Sequence, residues 1–378
     1  MKHPLLASTL ILLAVPAAAE TVRTEAVALE AEAIADGLEN PWGLDFLPDG
    51  GAIVTERPGR LRIFADGRLS DPVEGVPEVA ASGQGGLLDV AVAPDFETSG
   101  LIYLSYSEPG EGGAGTAVAR GQLVREGGPA RLEGVETIFS MNQKSGTSRH
   151  FGSRLVFAPD GTLFVTTGDR GDGPRAQDFQ DHAGAVLRIG PDGSVPADNP
   201  FANGQEALPE IWSKGHRNPQ SADWDPVMGG LVVVEHGARG GDEVNYPEAG
   251  KNYGWPVISY GVDYSGARIG VGTERQGLEQ PAHYWDPSIA PSGLVAYDGE
   301  MFPEWKGDLL VGALKFELLS RLDRDESGEI VGEERFLEGE FGRIRDVNQA
   351  PDGSIWLLND ESDGRIIRLS RAEDQDAG

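Results

Sequence analysis

The sequence predicts an all-β fold, a six-bladed β-propeller with four-stranded blades, and three observations carry this prediction. One unit recurs along the chain: an apolar alternating run, a turn resembling Pro-Asp-Gly, and a second apolar run. Its six copies are centred on Pro48, Pro94, Pro159, Pro226, Pro303 and Pro351. Their spacing of about 45 to 75 residues is enough for a four-stranded sheet. Hardly any stretch has the 3.6-residue apolar period of a long helix.

Each copy is expected to be a β-hairpin. Proline presets φ for the first central position of a turn, aspartate accepts local backbone hydrogen bonds, and glycine tolerates positive φ. Further short strands are expected between the hairpins, in RLRIFADGRL (60–69) and AVLRIGPDGSV (185–195). The alternative is a pair of β-sandwich domains, but a sandwich does not repeat one hairpin signature along its whole length.

The composition excludes several classes of function. The chain has 378 residues, with 61 acidic and 31 basic side chains, and a formal net charge of −30. So acidic a surface disfavours nucleic acid and anionic membranes as partners. A hydrophobic fraction of 39 % allows a substantial core, and 53 glycines indicate many turns. The absence of cysteine excludes disulfides, thiolate catalysis and cysteine metal sites.

The N-terminal residues 1–19, MKHPLLASTLILLAVPAAA, have the pattern of a secretory signal peptide with an Ala-x-Ala cleavage site. A membrane anchor is the alternative, but it needs about 20 apolar residues. We therefore expect a soluble, exported protein, located in the periplasm if the source is a Gram-negative bacterium. Residues 20–372 are expected to form a single propeller domain, and residues 373–378 a disordered tail.

The longest intervals between repeats imply insertions, and candidate functional residues are concentrated from Gln84 to Arg345. His150, in SRHFGSRLVFAP, precedes the first strand of the third hairpin. The run KGHRNPQ combines an imidazole at His216 with Arg217 and Asn218. Taken alone, His150 is more often a structural histidine, and KGHRNPQ is equally consistent with a capped loop.

Two further segments stand out in so acidic a chain. In EHGARGGDEVNYPEAGKNYGWP (235–256), glycines let backbone carbonyls converge, while Asp242 and Glu243 supply the hard oxygen ligands that Ca²⁺ prefers. A solvated acidic loop is the alternative. Near the C-terminus, Lys315, Arg343 and Arg345 suggest a ligand with carboxylates. Surface salt bridges are the alternative.

Seven motifs together resemble the soluble glucose/sorbosone dehydrogenase family, and most closely its bacterial aldose sugar dehydrogenases, which depend on pyrroloquinoline quinone (PQQ). The resemblance begins at NPWGLDFLPDG (40–50) and extends almost to the C-terminus. The motifs stand in the family's order: GQGGLLDVAVAPDF, RHFGSRLVFAPDG, GHRNPQ, EHGARGGDEVN, KNYGWP, ALKF and GRIRDV. The family is a six-bladed propeller, which agrees with the repeat count.

The resemblance also implies roles for individual residues. Gln84, Arg217, Asn218, Lys315, Arg343 and Arg345 match residues that bind the quinone, the last three through its carboxylates. His150 matches the general base, and Arg217 also lies at the reactive carbonyl. The carbonyls of Gly237 and Ala238 match ligands of the Ca²⁺ that binds the quinone, although some relatives have proline in place of Ala238. Glu243 and Tyr253 match a second, structural calcium position. Asp263 and Tyr264 are further candidates that no motif fixes.

The resemblance implies oxidation of an aldose at its C1 hydroxyl to the lactone, by hydride transfer to PQQ with His150 as general base. The partners would be the sugar and an external electron acceptor, a periplasmic cytochrome or a quinone. Two other classes of function are weighed against it. A calcium-dependent lactonase-type propeller has no need of the Lys315, Arg343 and Arg345 cluster. A non-catalytic ligand-binding propeller is expected to lack the GHRN and RIR residues.

Overall fold

A computed structural model describes residues 20–372 of the chain. The expected signal peptide (1–19) and tail (373–378) lie outside the described residues. The described part begins with β1 (Glu20–Arg23) and β2 (Ala28–Leu38), which form an antiparallel pair. No helix in residues 20–372 is long and apolar enough to cross a membrane.

Five four-stranded antiparallel sheets follow, each with its strands in chain order. Blade 1 contains β3 (Pro41–Phe46), β4 (Ala52–Glu56), β5 (Arg60–Ala65) and β6 (Arg68–Leu69). Blade 2 contains β7 (Leu87–Val92), β8 (Leu101–Gly110), β9 (Gly113–Val124) and β10 (Arg131–Ser140). Blade 3 contains β11 (Gly152–Phe157), β12 (Leu163–Thr167), β13 (Ala185–Ile189) and β14 (Ile211–Lys214).

The remaining blades complete the ring. Blade 4 contains β15 (Pro219–Asp225), β16 (Gly230–Glu235), β17 (Asp242–Asn245) and β18 (His283–Trp285). Blade 5 contains β19 (Pro291–Ala296), β20 (Leu309–Ala313), β21 (Leu318–Arg324) and β22 (Ile330–Phe336). Blade 6 contains β23 (Ile344–Gln349), β24 (Ile355–Asn359) and β25 (Gly364–Arg371), and then β2 and β1. The six-bladed propeller predicted from the repeats is confirmed.

Blade 6 differs from the prediction because it has five strands. Strand β2 pairs with β25, and β1 adds a fifth strand outside β2. The N-terminal and C-terminal segments therefore share one sheet, which ties the ring closed through main-chain hydrogen bonds. A sequence repeat cannot show this, because β1 and β2 precede the first hairpin copy.

In the described part of the chain, helical structure is limited to three short segments: α1 (Phe96–Ser99) and two 3₁₀ turns at Gly173–Gln177 and Pro303–Trp305. The last of these differs from the expected hairpin turn, because Pro303 begins a 3₁₀ turn within a longer loop. Phe302 and Trp305 from this loop are fully buried and stack with their ring centroids 4.8 Å apart. Burial of these two rings favours the longer connection.

The first strands of the six blades, β3, β7, β11, β15, β19 and β23, contact one another in a closed ring around the propeller axis. Buried carboxylates connect neighbouring members of this ring. Asp89 accepts the Leu155 amide at 2.8 Å, and Asp346 accepts the Leu44 amide at 3.0 Å. The guanidinium of Arg154 lies 2.9 Å from both carboxylates. This charged layer borders a cavity that all six first strands line.

The order of antiparallel strands assigns each loop to one of two faces. The hairpin turns that join the first strand to the second lie on one face. The loops that enter each first strand, and those that join the second strand to the third, lie on the opposite face. We call this opposite face the site face. Gln84, His150, Arg217, Asn218 and the other predicted residues at strand starts all belong to its loops.

Candidate active site

A cavity of about 160 Å³ opens on the site face, where the loops of several blades meet. Three residues predicted from the sequence, Gln84, Arg343 and Arg345, line it. The other lining residues are Trp42, Arg57, Leu88, Phe151, Gly152, Gln220, His236, Ala290, Leu314 and Asp360. Because this set combines several cations with apolar walls, it suits a flat anionic ligand.

His150 lies directly before β11, between Gln84 and Asp169. Its main-chain amide donates to Gln84 Oε1 at 2.7 Å, and its ring Nδ1 is 2.6 Å from Asp169 Oδ1. Its φ of 56° is in the left-handed region, which is uncommon for residues other than glycine. His150 therefore has an uncommon backbone conformation, which its hydrogen bonds to Gln84 and Asp169 stabilise.

Asp169 is held by more than the histidine. Its Oδ2 accepts the indole N–H of Trp255 at 2.8 Å, and its Oδ1 accepts the Gly171 amide at 2.6 Å. Although burial acts in the opposite direction, the hydrogen bond to His150 lowers the pKa of Asp169 below its ordinary value. Asp169 is therefore a carboxylate at neutral pH, and it accepts a hydrogen bond from the Nδ1–H of His150.

The His150 ring remains neutral because of its surroundings. Burial lowers the pKa of His150 below its ordinary value, and the positive charge of Arg217 acts in the same direction. The hydrogen bond to Asp169 opposes this shift but does not cancel it. With Nδ1 bound to Asp169, the free lone pair lies on Nε2. This arrangement gives a general base at neutral pH.

Arg217 and Asn218 enter the site from the start of β15. The Arg217 amide donates to Glu235 Oε2 at 2.6 Å, and its Nη1 donates to the His236 carbonyl at 3.1 Å. The Arg217 guanidinium also lies over the ring of Trp255, 5.2 Å from the ring centroid. Trp255 thus touches both Asp169 and Arg217 and fixes their relative position.

Three buried donors of the site have no hydrogen-bond partner within residues 20–372. They are Arg217 Nε, Asn218 Nδ2 and Arg345 Nε. An unpaired buried donor is costly, so these atoms indicate a missing acceptor. A quinone with carbonyl and carboxylate oxygens supplies such acceptors, and the residues present therefore fit PQQ.

The predicted cation cluster is assembled by blades 5 and 6. Lys315 Nζ donates to the Ser288 carbonyl at 3.0 Å, and Arg343 Nη1 donates to the Leu314 carbonyl at 3.1 Å. Arg345 Nη1 donates to Gln220 Oε1 at 3.1 Å, and its Nη2 donates to Asp360 Oδ2 at 3.0 Å. Arg343 and Arg345 line the cavity, whereas Lys315 follows the lining residue Leu314 but does not itself line the cavity.

The Glu235–Gly241 loop has the crowded backbone expected of a carbonyl site. A Cβ atom at Gly237 would lie 2.3 Å from the carbonyl oxygens of both Gly240 and Gly241, so only glycine fits there. The Gly237 amide donates to Asp242 Oδ1 at 2.8 Å, which makes Asp242 a support of this loop. The carbonyl-rich backbone near Ala238 fits a hard cation such as Ca²⁺.

The second predicted calcium position lies around Glu243. Burial raises the pKa of Glu243, and the nearby Glu235 carboxylate raises it further. Both carboxylates contact Asn245 Nδ2, and Asn245 Oδ1 has no partner among residues 20–372. Two buried carboxylates beside an unpaired acceptor fit a cation. Within the same residues, however, no three His, Asp or Glu side chains converge as a metal cluster. Main-chain carbonyls would have to complete the site.

Three further residues named in the sequence analysis lie in different surroundings: Tyr253 is packed inside the protein, whereas Asp263 and Tyr264 are exposed. The Tyr253 hydroxyl donates to the Tyr246 carbonyl and accepts the Glu248 amide at 3.1 Å, so a metal role for Tyr253 would use its main-chain carbonyl. The Tyr253 ring stacks on His216. Asp263 binds Ser265 within its own exposed loop, and Tyr264 is 69 % exposed. The structure therefore does not bring these last two residues into the cavity.

Sequence analysis missed four residues of the site: Asp169, Trp255, Arg57 and Asp360. Three of them directly follow, or lie close behind, the second strand of a blade: Arg57 after β4, Asp169 after β12 and Asp360 after β24. His236 and Lys315 occupy similar places after β16 and β20. Comparison of the repeats at the position just after the second strand would have singled out Arg57, Asp169 and Asp360.

Comparisons with known proteins agree with this architecture. The family model described as Glucose / Sorbosone dehydrogenase matches residues 38–368. The aldose sugar dehydrogenase of Escherichia coli (strain K12) is 44 % identical over 350 residues, covering 90 % of this chain and 92 % of that protein. A crystal structure of a glucose dehydrogenase is similar with a TM-score of 0.88 and 46 % identity, covering 90 % of this chain and 99 % of the other.

A third relative was solved with its cofactor. The PQQ-bound form of the aldose sugar dehydrogenase from Streptomyces coelicolor has a TM-score of 0.76 and 28 % identity, and the match covers 94 % of this chain and 99 % of that one. The family resemblance carried by the seven motifs is confirmed, as is the prediction of an oxidoreductase. The chain belongs to the glucose/sorbosone dehydrogenase family.

Proposed function

We propose that this protein oxidises the C1 hydroxyl of aldose sugars to the lactone, with PQQ as hydride acceptor, His150 as general base and Ca²⁺ as a bound cofactor. The observation that carries the proposal is the His150–Asp169 pair on the same face as a cavity that three arginines line. A lactonase-type hydrolase has no need of these cations, and the GHRN and RIR residues that a non-catalytic propeller would lack are present.

The quinone would be held by Gln84, Arg217, Asn218, Lys315, Arg343 and Arg345. The carbonyls of Gly237 and Ala238 would hold the Ca²⁺ at its edge, and Glu243 and Tyr253 would hold a structural one. When bound, PQQ supplies an electrophilic carbonyl carbon that accepts the hydride from C1, and Ca²⁺ polarises that carbonyl. The protein supplies orientation, charge and the base.

His150 removes the proton of the C1 hydroxyl through Nε2, because Nδ1 is bound to Asp169. As the C1 hydrogen leaves with its electron pair, the C1 oxygen loses its proton and becomes the carbonyl oxygen of the lactone. The adjacent Asp169 carboxylate stabilises the imidazolium that forms. Arg217 supplies a fixed positive charge where negative charge develops on the acceptor.

The cellular setting forms part of the same proposal. The pattern of residues 1–19 supports export, to the periplasm in a Gram-negative source. No second redox group is indicated by the sequence, so an external acceptor, a cytochrome or a quinone, would reoxidise the enzyme. The finding that no described helix could span the membrane is compatible with this setting.

Reconstitution of the purified apo-protein tests the proposal. Dye-linked oxidation of glucose and a panel of other aldoses is measured with PQQ and Ca²⁺ added together, singly, and with a chelator. We expect activity only when both are present. Failure to bind PQQ, or failure to reduce the dye with every aldose, would overturn the proposal. Hydrolysis of a lactone without dye reduction would favour the lactonase alternative.

A further inference from the structure

We propose that Arg57 is a further cation of the cofactor site, and that Asp360 is an internal carboxylate that holds Arg57, Arg343 and Arg345 in place for a tricarboxylate ligand. This inference rests on the proposed function, because it concerns how the same cavity recognises PQQ. Neither residue was singled out by the sequence or by its resemblance to the family.

Arg57 lies in the cavity wall and supports the turn that carries Gln84. Its Nη1 donates to the Gly83 carbonyl at 2.7 Å, and its main-chain carbonyl accepts the Leu87 amide at 3.1 Å. A Cβ atom at Gly86 would lie 1.9 Å from the Arg57 carbonyl, so the GQGG turn packs directly on this residue. The Arg57 side chain nevertheless remains 25 % exposed in the cavity, which leaves its guanidinium accessible to a ligand.

Asp360 lies at the meeting point of three guanidinium groups. The nearest nitrogens of Arg345, Arg343 and Arg57 are 3.0, 3.5 and 3.8 Å from its carboxylate oxygens. Asn40 Nδ2 donates to Oδ1 at 3.0 Å. Although burial opposes the shift, Arg345 lowers the pKa of Asp360 to about 2, so the carboxylate stays ionised at neutral pH. It orients the three arginines along one wall.

The charged side chains that line the cavity leave it with a positive balance. Arg57, Arg343 and Arg345 contribute three positive charges and Asp360 one negative charge. PQQ carries three carboxylates, which suit a wall of this sign. Without Arg57 this wall would lose one of its three guanidinium groups. Without Asp360 the three arginines would repel one another across a few ångströms.

The contacts of Arg57 differ from those of an ordinary salt bridge. Arg57 is the farthest of the three arginines from Asp360, and its closest polar partner is a neutral carbonyl. Its charge is therefore only partly compensated by the protein. Guanidinium groups bind carboxylates through paired N–H donors, and a partly uncompensated one at a cavity wall is suited to that contact.

The test is the affinity of the apo-protein for PQQ, measured by fluorescence titration at several salt concentrations. We expect Arg57→Gln to weaken binding about tenfold or more, as for loss of a charge-assisted hydrogen bond, and to reduce the salt dependence of log Kd. Arg57→Lys is expected to keep the salt dependence of the wild type. Arg68→Gln, which removes an equal charge from an exposed strand end, is the matched control and should bind like the wild type.

Asp360→Asn is measured in the same titration and is expected to make the salt dependence steeper, because one more positive charge faces the ligand. Thermal melting of every variant shows that the fold is retained. Wild-type affinity in Arg57→Gln would overturn the role of Arg57, and an unchanged salt dependence in Asp360→Asn would overturn the role of Asp360. If the wild-type apo-protein itself does not bind PQQ, the proposed function is wrong. The same titration distinguishes this outcome from one in which only the roles of Arg57 and Asp360 are wrong.

Discussion

His150 Nδ1 lies 2.6 Å from Asp169 Oδ1, although the two residues come from opposite ends of the first hairpin of blade 3. The contact forms because the loop entering β11 and the loop leaving β12 end on the same face. It leaves the second ring nitrogen, Nε2, available for the base role proposed above. The same carboxylate accepts the indole N–H of Trp255, from an insertion in blade 4.

Replacement of His150 by alanine should abolish turnover and leave cofactor binding largely intact. Loss of a general base costs about 10²–10⁴ in rate, whereas the predicted cofactor ligands are other side chains. Steady-state dye reduction and a PQQ titration of the apo-protein measure the two effects separately. Turnover like that of the wild type would contradict the assignment of the base.

Replacement of Asp169 by asparagine should lower kcat and shift the pH profile. Protonation inactivates the base, so kcat/KM of the wild type should fall as the pH drops below the lowered pKa of His150. The negative charge of Asp169 raises that pKa, so its removal should move the acidic limb to still lower pH. A pH profile of kcat/KM for both proteins measures the shift. If the acidic limb of the kcat/KM profile lies at the same pH in Asp169→Asn and in the wild type, Asp169 does not act through His150.

Replacement of Trp255 by phenylalanine removes one hydrogen bond and keeps an aromatic ring near Arg217. A hydrogen bond to a charged acceptor contributes about 1.5–3 kcal/mol, so we expect kcat to fall roughly 10- to 100-fold, with little change in PQQ affinity. Trp356→Phe, in blade 6 and outside the cavity, is the control. Full activity of Trp255→Phe would mean that Asp169 is held well enough by the Gly171 amide.

Calcium should stabilise the apo-protein through the buried Glu235 and Glu243 carboxylates. A ligand at a hundredfold excess over its Kd adds about 2.7 kcal/mol to the free energy of unfolding. Thermal melting with Ca²⁺ and with a chelator is expected to show a higher Tm with the ion. Glu243→Gln should reduce this difference, while the exposed Glu248→Gln should keep it. An equal Tm under both conditions would argue against this cation site.

Asp223 should make stability decrease as the pH rises. Burial raises the pKa of this carboxyl to about 7, against 3.8 for the ordinary group. Between about pH 4 and pH 7 the folded state holds a proton that the unfolded state has released, so the free energy of unfolding falls as the pH rises, by at most about 1.4 kcal/mol per unit.

Denaturant unfolding of wild type and Asp223→Asn from pH 4 to pH 8 measures this contribution. We expect the stability of the variant relative to the wild type to rise across that range. The exposed Asp71→Asn is the control and should show no such trend. A constant difference between Asp223→Asn and the wild type would show that Asp223 is ionised in the folded protein throughout.

The sequence was informative wherever function depends on local pattern. All six proline segments lie between the first and second strands of a blade, because proline and glycine favour a chain reversal within a few residues. Pro303 was different, since burial of Phe302 and Trp305 decided the shape of its loop. Likewise His150 could be identified from its motif, but nothing in that motif indicates which carboxylate orients it.

By itself, the sequence determined the number of blades and the family, and it singled out candidate site residues, because repeats and motifs are local in the chain. Only the tertiary structure decided that β2 completes blade 6 and that Arg57, Arg343 and Arg345 surround Asp360. The contacts of β2 with β25 and of Arg57 with Asp360 join segments about 300 residues apart. Closure of the ring brings them together, and their partners follow from the geometry of the whole propeller rather than from neighbouring residues.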